Sequence, residues 1–97
     1  MKLMTKDLEA QLPALYSQED KGNDAVALVK YFTPDADWTW YASEYDPEAK
    51  QFFGLVDGFE RELGYFNLEE LEVLRGPFGL PVERDLYFKP TPLAELA

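Results

Sequence analysis

The first hydrophobic pattern in the chain predicts a short helix. Thr5 precedes a segment in which Leu8 and Leu12 are four residues apart, and acidic residues occupy the first turn. A Thr N-cap and first-turn carboxylates both stabilise a helix start, and Pro13 is expected to end the helix. The polar segment Ser17 to Asp24 that follows is predicted to be a loop.

Alternating and β-branched segments then predict a group of strands separated by Asp/Pro/Gly turns. The predicted strands cover Ala25 to Phe32, Trp38 to Tyr45, Gln51 to Asp57 and Phe59 to Phe66. Because the connections are short, these strands favour an antiparallel meander. Alternation in the second strand places Trp38, Trp40 and Ala42 on one face, and Thr39, Tyr41, Ser43 and Tyr45 on the other.

A second helix and a short tail complete the pattern. Asn67 and Glu70 are spaced as N-cap and N3 of a capping box, and Gly76-Pro77 marks the helix end. A short edge strand is predicted over Glu83 to Phe88, and Thr91-Pro92 is expected to begin a last turn that ends at Ala97. The apolar stripe of the second helix is Leu68, Leu71 and Leu74.

The predicted fold is a single α+β domain over residues 1–97, an antiparallel sheet of three to five strands with two or three short helices.

Composition excludes several classes of site. The 97 residues contain no His and no Cys, which excludes imidazole and thiolate chemistry, and we predict no catalytic residue, cofactor or metal site. Aromatic residues make up 15% of the chain, so it is expected to fold despite a formal net charge of −10. Neither a membrane-spanning apolar run nor the apolar core of a signal peptide is present, so a cytoplasmic location is expected.

Negative charge is concentrated in one part of the chain. Residues 35–72 contain eleven carboxylates, opposed by Lys50 and Arg61 alone. These carboxylates are either a solvated, helix-capping set or a recognition surface for a basic protein, whose binding weakens with salt. The charge disfavours direct binding to nucleic acid or an anionic membrane. The candidate acidic surface consists of Glu44, Asp46, Glu48, Asp57, Glu60, Glu62, Glu69, Glu70 and Glu72.

Aromatic residues form a second candidate surface on the predicted strands. It consists of Trp38, Trp40, Tyr41 and Tyr45. Since alternation places these rings on both faces of the sheet, either helices cover both faces or one aromatic face is exposed as an interface.

Three other groups of residues are candidate sites. Asp35 and Asp37 suggest a weak cation site, but Trp40 stands where a calcium-binding loop of the EF-hand type has Gly. Glu44 and Asp57, on neighbouring predicted strands, are a candidate pair of carboxylates for hydrolysis. Glu83-Arg84-Asp85 is either a clamp for a partner or, as we favour, a structural group in which Arg84 bridges carboxylates of the sheet.

Several segments carry a family resemblance. They are Phe32-Thr33-Pro34-Asp35-Ala36, Thr39-Trp40, Glu44 through Asp46-Pro47-Glu48, Phe53-Gly54-Leu55, Leu68 through Leu71 and, most specifically, Leu74-Arg75-Gly76-Pro77 through Glu83-Arg84-Asp85-Leu86-Tyr87-Phe88. With them, nearly the whole chain resembles a bacterial family catalogued as domain of unknown function 2958. The resemblance implies a small cytoplasmic protein, often encoded on plasmids, phages or integrated elements. It implies no catalytic residues.

The sequence therefore favours a non-enzymatic protein-binding module. In its most specific form, the protein mimics nucleic acid and inhibits a DNA- or RNA-binding or defence protein by presenting carboxylates where phosphates would lie. The alternatives are a carboxylate-based, metal-dependent hydrolase and a structural homodimer subunit.

Overall fold

The chain folds around an antiparallel sheet, with short helical segments packed against it. The computed structural model describes residues 1–96. Its α-helices are α1 (Lys6–Gln11) and α2 (Leu68–Val73), and 3₁₀ segments cover Glu19–Asp24 and Leu93–Glu95. The strands are β1 (Val26–Ala27), β2 (Val29–Phe32), β3 (Thr39–Asp46), β4 (Gln51–Asp57), β5 (Arg61–Asn67), β6 (Glu83–Arg84) and β7 (Thr91–Pro92).

The main sheet is a meander with one added strand. Its strand order is β5-β4-β3-β2-β6, and every neighbouring pair is antiparallel. The predicted α+β class is confirmed. The predicted edge strand Glu83 to Phe88 shortens to β6, which pairs with β2 through Tyr31↔Arg84 and Phe32↔Glu83.

The predicted strand Ala25 to Phe32 is two strands, because the chain changes its partner at Leu28. β1 pairs with β7, near the C-terminal end, while β2 pairs with β3. The Leu28 N–H donates to the carbonyl of Ala42 at 2.8 Å, which keeps the junction against the main sheet. Both strands have the same apolar composition, so the pattern of residues does not reveal this change of partner.

A β-bulge in β3 changes which side chains share a face. The register between β3 and β4 shifts between Ala42 and Glu44, so Ser43 is the inserted residue. Tyr45 therefore packs in the same core cluster as Trp40 and Ala42. The prediction that Tyr45 lies opposite Trp40 is wrong, because one inserted residue reverses the alternation beyond it.

Apolar clusters cover both faces of the sheet. The larger cluster includes Leu8 of α1 and Leu71 of α2, packed against Phe52 and other rings of the strands. A smaller cluster contains Leu55 of β4 and Leu93 of the last 3₁₀ segment. Phe52 and Leu55 are three residues apart in β4, so the two clusters lie on opposite faces.

Side-chain caps begin both α-helices, as the sequence predicts. Thr5 Oγ1 accepts a hydrogen bond from the Leu8 N–H at 3.1 Å. Asn67 Oδ1 accepts from the Glu69 N–H at 2.9 Å, one residue earlier than the predicted bond to Glu70.

The C-terminal turn differs from its prediction. Pro92 lies in β7, and the 3₁₀ segment begins one residue later, at Leu93. Ala97, the predicted end of this turn, lies outside the described residues. Across residues 1–96, no helix has the length and apolar character needed to cross a membrane.

Candidate functional site

β5 is the terminal strand of the main sheet and forms its edge. It pairs with β4 along all seven of its residues, from Gln51↔Asn67 to Asp57↔Arg61. Among residues 1–96, no strand pairs with its outer side. An edge strand of this kind presents unpaired backbone N–H and C=O groups, to which another strand can pair.

The β5 edge also carries exposed apolar side chains. Phe59, in the turn before β5, is 94% exposed, while Leu63 and Tyr65 are 46% and 49% exposed. We call Phe59, Leu63 and Tyr65 the β5 apolar row. The Tyr65 ring packs edge-on against Phe53, with 5.0 Å between the ring centroids. Tyr65 is therefore packed against the sheet on one side of its ring and remains exposed to solvent on the other.

Gly58 positions Phe59 at the start of this row. The Phe59 ring packs edge-on against Trp38, with 5.3 Å between the centroids. A Cβ on Gly58 would overlap the Trp38 ring, so the turn requires glycine for this close approach. The ion pair between Arg61 Nε and Asp57 Oδ2, 3.2 Å apart, links the two strands at the same turn.

Exposed carboxylates lie near both ends of the β5 apolar row. Glu60 and Glu62 are exposed at the end next to the β4–β5 turn. At the other end, α2 follows β5 directly, and the β3–β4 turn meets it through a hydrogen bond of 3.0 Å from the Leu68 N–H to the Lys50 carbonyl. Seven residues of strand span about 20 Å, so the carboxylates form two separate groups. The exposed carboxylates of this second end are Glu48, Glu69, Glu70 and Glu72.

Four of the nine predicted acidic residues have partners within the protein, and three of these four are at least partly exposed. Asp57 is half-buried and forms the ion pair with Arg61. Asp46 is half-buried and accepts a hydrogen bond of 3.0 Å from the Glu48 N–H. Glu69 lies 4.0 Å from the Lys50 ammonium, an exposed pair that contributes little to stability.

Glu44 is not a surface residue, and its place in the predicted acidic surface is wrong. It is only 3% exposed. Its Oε1 accepts from the Tyr16 N–H and its Oε2 from the Gln18 N–H, both at 2.8 Å. The bulge at Ser43 brings the carboxylate to the segment before the first 3₁₀ segment, where it satisfies two backbone donors.

Two of the four predicted aromatic surface residues belong to the core. Trp40 is 5% and Tyr45 3% exposed, so the prediction that they form a surface is wrong. Their face of β3 is the one that α1 and α2 cover. Trp38 and Tyr41 are half-buried, Tyr41 on the opposite face with Phe88 against it.

The β5 apolar row had a signal in the sequence. Leu63 and Tyr65 have odd numbers within the predicted strand Phe59 to Phe66, so alternation places them on one face. Phe59 lies in the turn before β5 and packs against Trp38, so alternation does not apply to it. Sequence reasoning missed the row because nothing in the pattern shows that β5 is an edge strand.

Asp35 has a structural role and not the suggested role of a cation ligand. Its Oδ2 accepts hydrogen bonds from the Phe78 N–H at 2.8 Å and the Leu80 N–H at 3.4 Å. A Cβ on Gly76 would overlap Oδ1, which explains glycine there. Asp35 thus holds the loop after α2, while Asp37 is exposed. Within the described residues, no group of three or more His, Cys, Asp or Glu residues is arranged to hold a metal ion.

Glu44 and Asp57 do not approach each other, so the suggested carboxylate pair is wrong. Glu44 pairs with Phe53 in the β3–β4 register, and Asp57 lies four residues farther along β4. That separation is about 13 Å along the sheet.

Arg84 also departs from its expected role as a bridge between carboxylates. Its Nε donates to the Lys2 carbonyl at 3.3 Å, which ties β6 to the N-terminal segment. Asp85 instead lies 3.9 Å from the Lys30 ammonium. In the part of the chain that the structure describes, Arg84 forms no ion pair. The favoured carboxylate bridge is therefore wrong: Arg84 contacts a backbone carbonyl, and Asp85 contacts the Lys30 ammonium.

Comparison with known proteins gives one match. The model of a family described as "Protein of unknown function (DUF2958)" matches residues 3–97. No curated protein matches the chain, and no solved structure does.

Proposed function

The chain belongs to the DUF2958 family, and on that premise we propose that it is a non-enzymatic protein-binding module for a basic protein. The binding surface is the β5 edge, together with the β5 apolar row and the carboxylates near its two ends. The occupant is an extended basic segment of the partner, which adds to the sheet as a strand.

The observation that carries this proposal is an uncharged, exposed centre on an open edge strand. Proteins usually protect edge strands with charges, Pro or bulges at the edge itself. In β5 the central residues are Leu63, Gly64 and Tyr65, none of them charged. An apolar centre with a charged rim is the usual anatomy of a protein–protein interface.

Charge selects the partner. The chain has a formal net charge of −10, and Glu60 and Glu62 are exposed beside the row. A basic segment gains favourable interactions at both ends of β5, while an acidic one is repelled. Carboxylates also take the place of phosphates in arginine- and lysine-rich grooves. In the more specific form of the proposal, the partner binds DNA or RNA with the same basic surface. The protein then acts as an inhibitor by occupying that surface, which is the role expected of an inhibitor encoded on a mobile element.

The test is capture of partners from lysate at low and high salt, followed by direct titration of the purified partner. A variant with Leu63→Lys and Tyr65→Lys places cations at the centre of the edge. We expect it to lose the partner, and we expect salt to weaken binding of the parent protein. The matched control carries Ala10→Lys and Gln11→Lys on the exposed side of α1, which change the net charge by the same amount.

The results distinguish the proposed β5 surface from its alternatives. A partner retained by the β5 variant and lost by the α1 control would overturn the proposed surface. Competition between the protein and a DNA or RNA fragment for the purified partner would support nucleic-acid mimicry, and joint binding would contradict that form. A solution mass twice 11.2 kDa that the β5 variant abolishes, without any captured partner, would identify β5 as a homodimer edge instead.

A further inference from the structure

A small cavity lies beside β5, between the sheet and the segment that precedes the first 3₁₀ segment. Its volume is about 220 Å³. Glu44 of β3, Phe53 of β4 and Tyr65 of β5 line it from the sheet, and Tyr16 lines it from the facing segment. This volume is below the roughly 300–1,000 Å³ of pockets for drug-sized ligands, so the cavity suits a single side chain or a small ion.

Two carboxylates line this cavity, the exposed Glu19 and the buried Glu44. Each carboxylate oxygen of Glu44 accepts one backbone N–H, from Tyr16 and from Gln18, which leaves further acceptor capacity on both. Among the residues described, no Lys or Arg forms an ion pair with Glu44. The two backbone donors offset part of the cost of burying this carboxylate, which is 97% removed from solvent, and a cation would offset more of it.

Aromatic rings form the walls above this carboxylate. Tyr65 packs edge-on against Phe53, and the neighbouring Tyr16 side chain, burial and the charges of Glu19 and Glu44 raise the pKa of Tyr65 above its usual value. Tyr16 is held at a φ of 71°, a left-handed conformation that is rare for a bulky residue. Such conformations persist where surrounding contacts impose them, and many occur at binding sites.

We propose that this cavity binds an organic cation of the ammonium or guanidinium class. Aromatic faces attract such cations, and a carboxylate pairs with them. An anion would meet the charge of Glu44, and an apolar ligand would leave the carboxylate without a new partner.

This site deepens the proposed function, and it rests on that function only for the source of the cation. Leu63 and Tyr65 belong both to the β5 apolar row and to the lining of the cavity. A lysine or arginine side chain of a segment bound along β5 therefore lies next to the cavity mouth. A free alkylammonium ion is the other source of the same chemistry.

The test is a titration of ¹⁵N-labelled protein followed at the amides of Tyr16 and Gln18, which donate to Glu44. The ligands are Nα-acetyl-lysine methylamide, Nα-acetyl-arginine methylamide and tetramethylammonium, with Nα-acetyl-norleucine methylamide as the neutral control. We expect saturable shifts with the cations and none with norleucine. A lysine-containing extended peptide that binds more tightly than the free cations would identify a protein as the source. Equal affinity would identify a small molecule.

Variants separate a binding role from a purely structural one. Glu44→Gln is expected to weaken cation binding about 10- to 100-fold, since a bond to a charged group is lost. Tyr65→Leu leaves Glu44 in place and is expected to weaken binding about 3- to 10-fold, so it serves as the test even if Glu44→Gln disturbs folding. Glu70→Gln removes the same charge from an exposed site and is expected to change nothing.

The proposal is overturned if no cation gives a saturable shift, if norleucine binds as well, or if Tyr65→Leu binds like the parent. The titration requires no partner protein. Its failure therefore leaves the β5 edge proposal intact, and a failed partner capture leaves this one intact.

Discussion

Tyr31 is fully buried, and its hydroxyl donates a hydrogen bond of 2.6 Å to the Leu3 carbonyl. The ring also packs edge-on against Phe52, with 5.5 Å between the centroids. Burial raises the pKa of Tyr31 well above its usual value, and the charge of Arg84 opposes this increase only in part. One hydroxyl thus connects β2 to the N-terminal segment. Because this hydroxyl must stay protonated to donate, the stability of the folded protein depends on pH in the alkaline range.

We expect alkaline pH to destabilise the protein through Tyr31. Because its pKa is raised in the folded state, this group stabilises the protein below the unfolded pKa of about 10, and the stability is lost as pH rises above that value. Above pH 10 the loss is about 1.4 kcal/mol per pH unit for one proton. Tyr31→Phe is expected to cost about 1 kcal/mol at neutral pH and to lose less stability than the parent above pH 10.

Urea unfolding at neutral and alkaline pH measures this difference. The control is Tyr87→Phe, since Tyr87 is 91% exposed. Equal alkaline losses in the parent and in Tyr31→Phe would show that the other tyrosines account for the effect.

The single inserted residue Ser43 has the largest consequence for the candidate site. Its side chain is fully buried, and Oγ donates to the Phe53 carbonyl at 3.0 Å. Its own carbonyl accepts from Gln18 Nε2 at 2.7 Å. Strict alternation predicts the wrong face for Tyr45, and residue type alone predicts a surface position for Glu44. Both errors arise because a bulge depends on the partner strand, which the local sequence does not contain.

Among the elements, β4 has a glycine, Gly54, directly against the backbone of β3. A Cβ on Gly54 would overlap the carbonyl oxygen of Tyr41, whereas nothing lies within 4 Å of a Cβ on Gly64, its partner in β5. The predicted bounds of β4, Gln51 to Asp57, are confirmed. The requirement for glycine within that strand follows from the path of β3 and is not visible in the composition of β4.

We expect Gly54→Ala to lose about 1–3 kcal/mol of unfolding free energy or more, since the two strands must separate to admit the methyl group. Gly64→Ala is the matched control in the neighbouring strand. It is expected to change stability by less than about 1 kcal/mol, with the reduced entropy of the unfolded chain favouring alanine. Denaturant unfolding of both variants checks this. Equal losses would mean that strand flexibility, and not the contact with β3, requires Gly54.

For the whole molecule, charge is the dominant feature. The Cα trace extends over 39 × 28 × 23 Å, and the formal net charge is −10. The described residues contain three ion pairs, all of them partly exposed. Exposed pairs contribute about 0–1 kcal/mol each, whereas a net charge of this size destabilises a compact state through self-repulsion.

Added NaCl is therefore expected to stabilise the folded protein. The screening length falls from about 30 Å at 0.01 M to about 10 Å at 0.1 M salt, which shortens repulsion from the scale of the molecule to that of neighbouring residues. The measurement is the urea midpoint at the two salt concentrations. A variant with Glu69, Glu70 and Glu72 changed to Gln is expected to gain less from salt. A midpoint that falls with salt would mean that the ion pairs dominate.

The sequence by itself determined the α+β class, the antiparallel meander, the N-caps Thr5 and Asn67, and the concentration of negative charge. These features depend on local periodicity, turn chemistry and composition, which each segment carries with it. Only the tertiary structure decided that β5 lies at an edge with an exposed apolar row, that Trp40 and Tyr45 are core residues, and that Glu44 is buried against Tyr16. Strand order and the bulge arise from the pairing of distant segments, so no single segment encodes them.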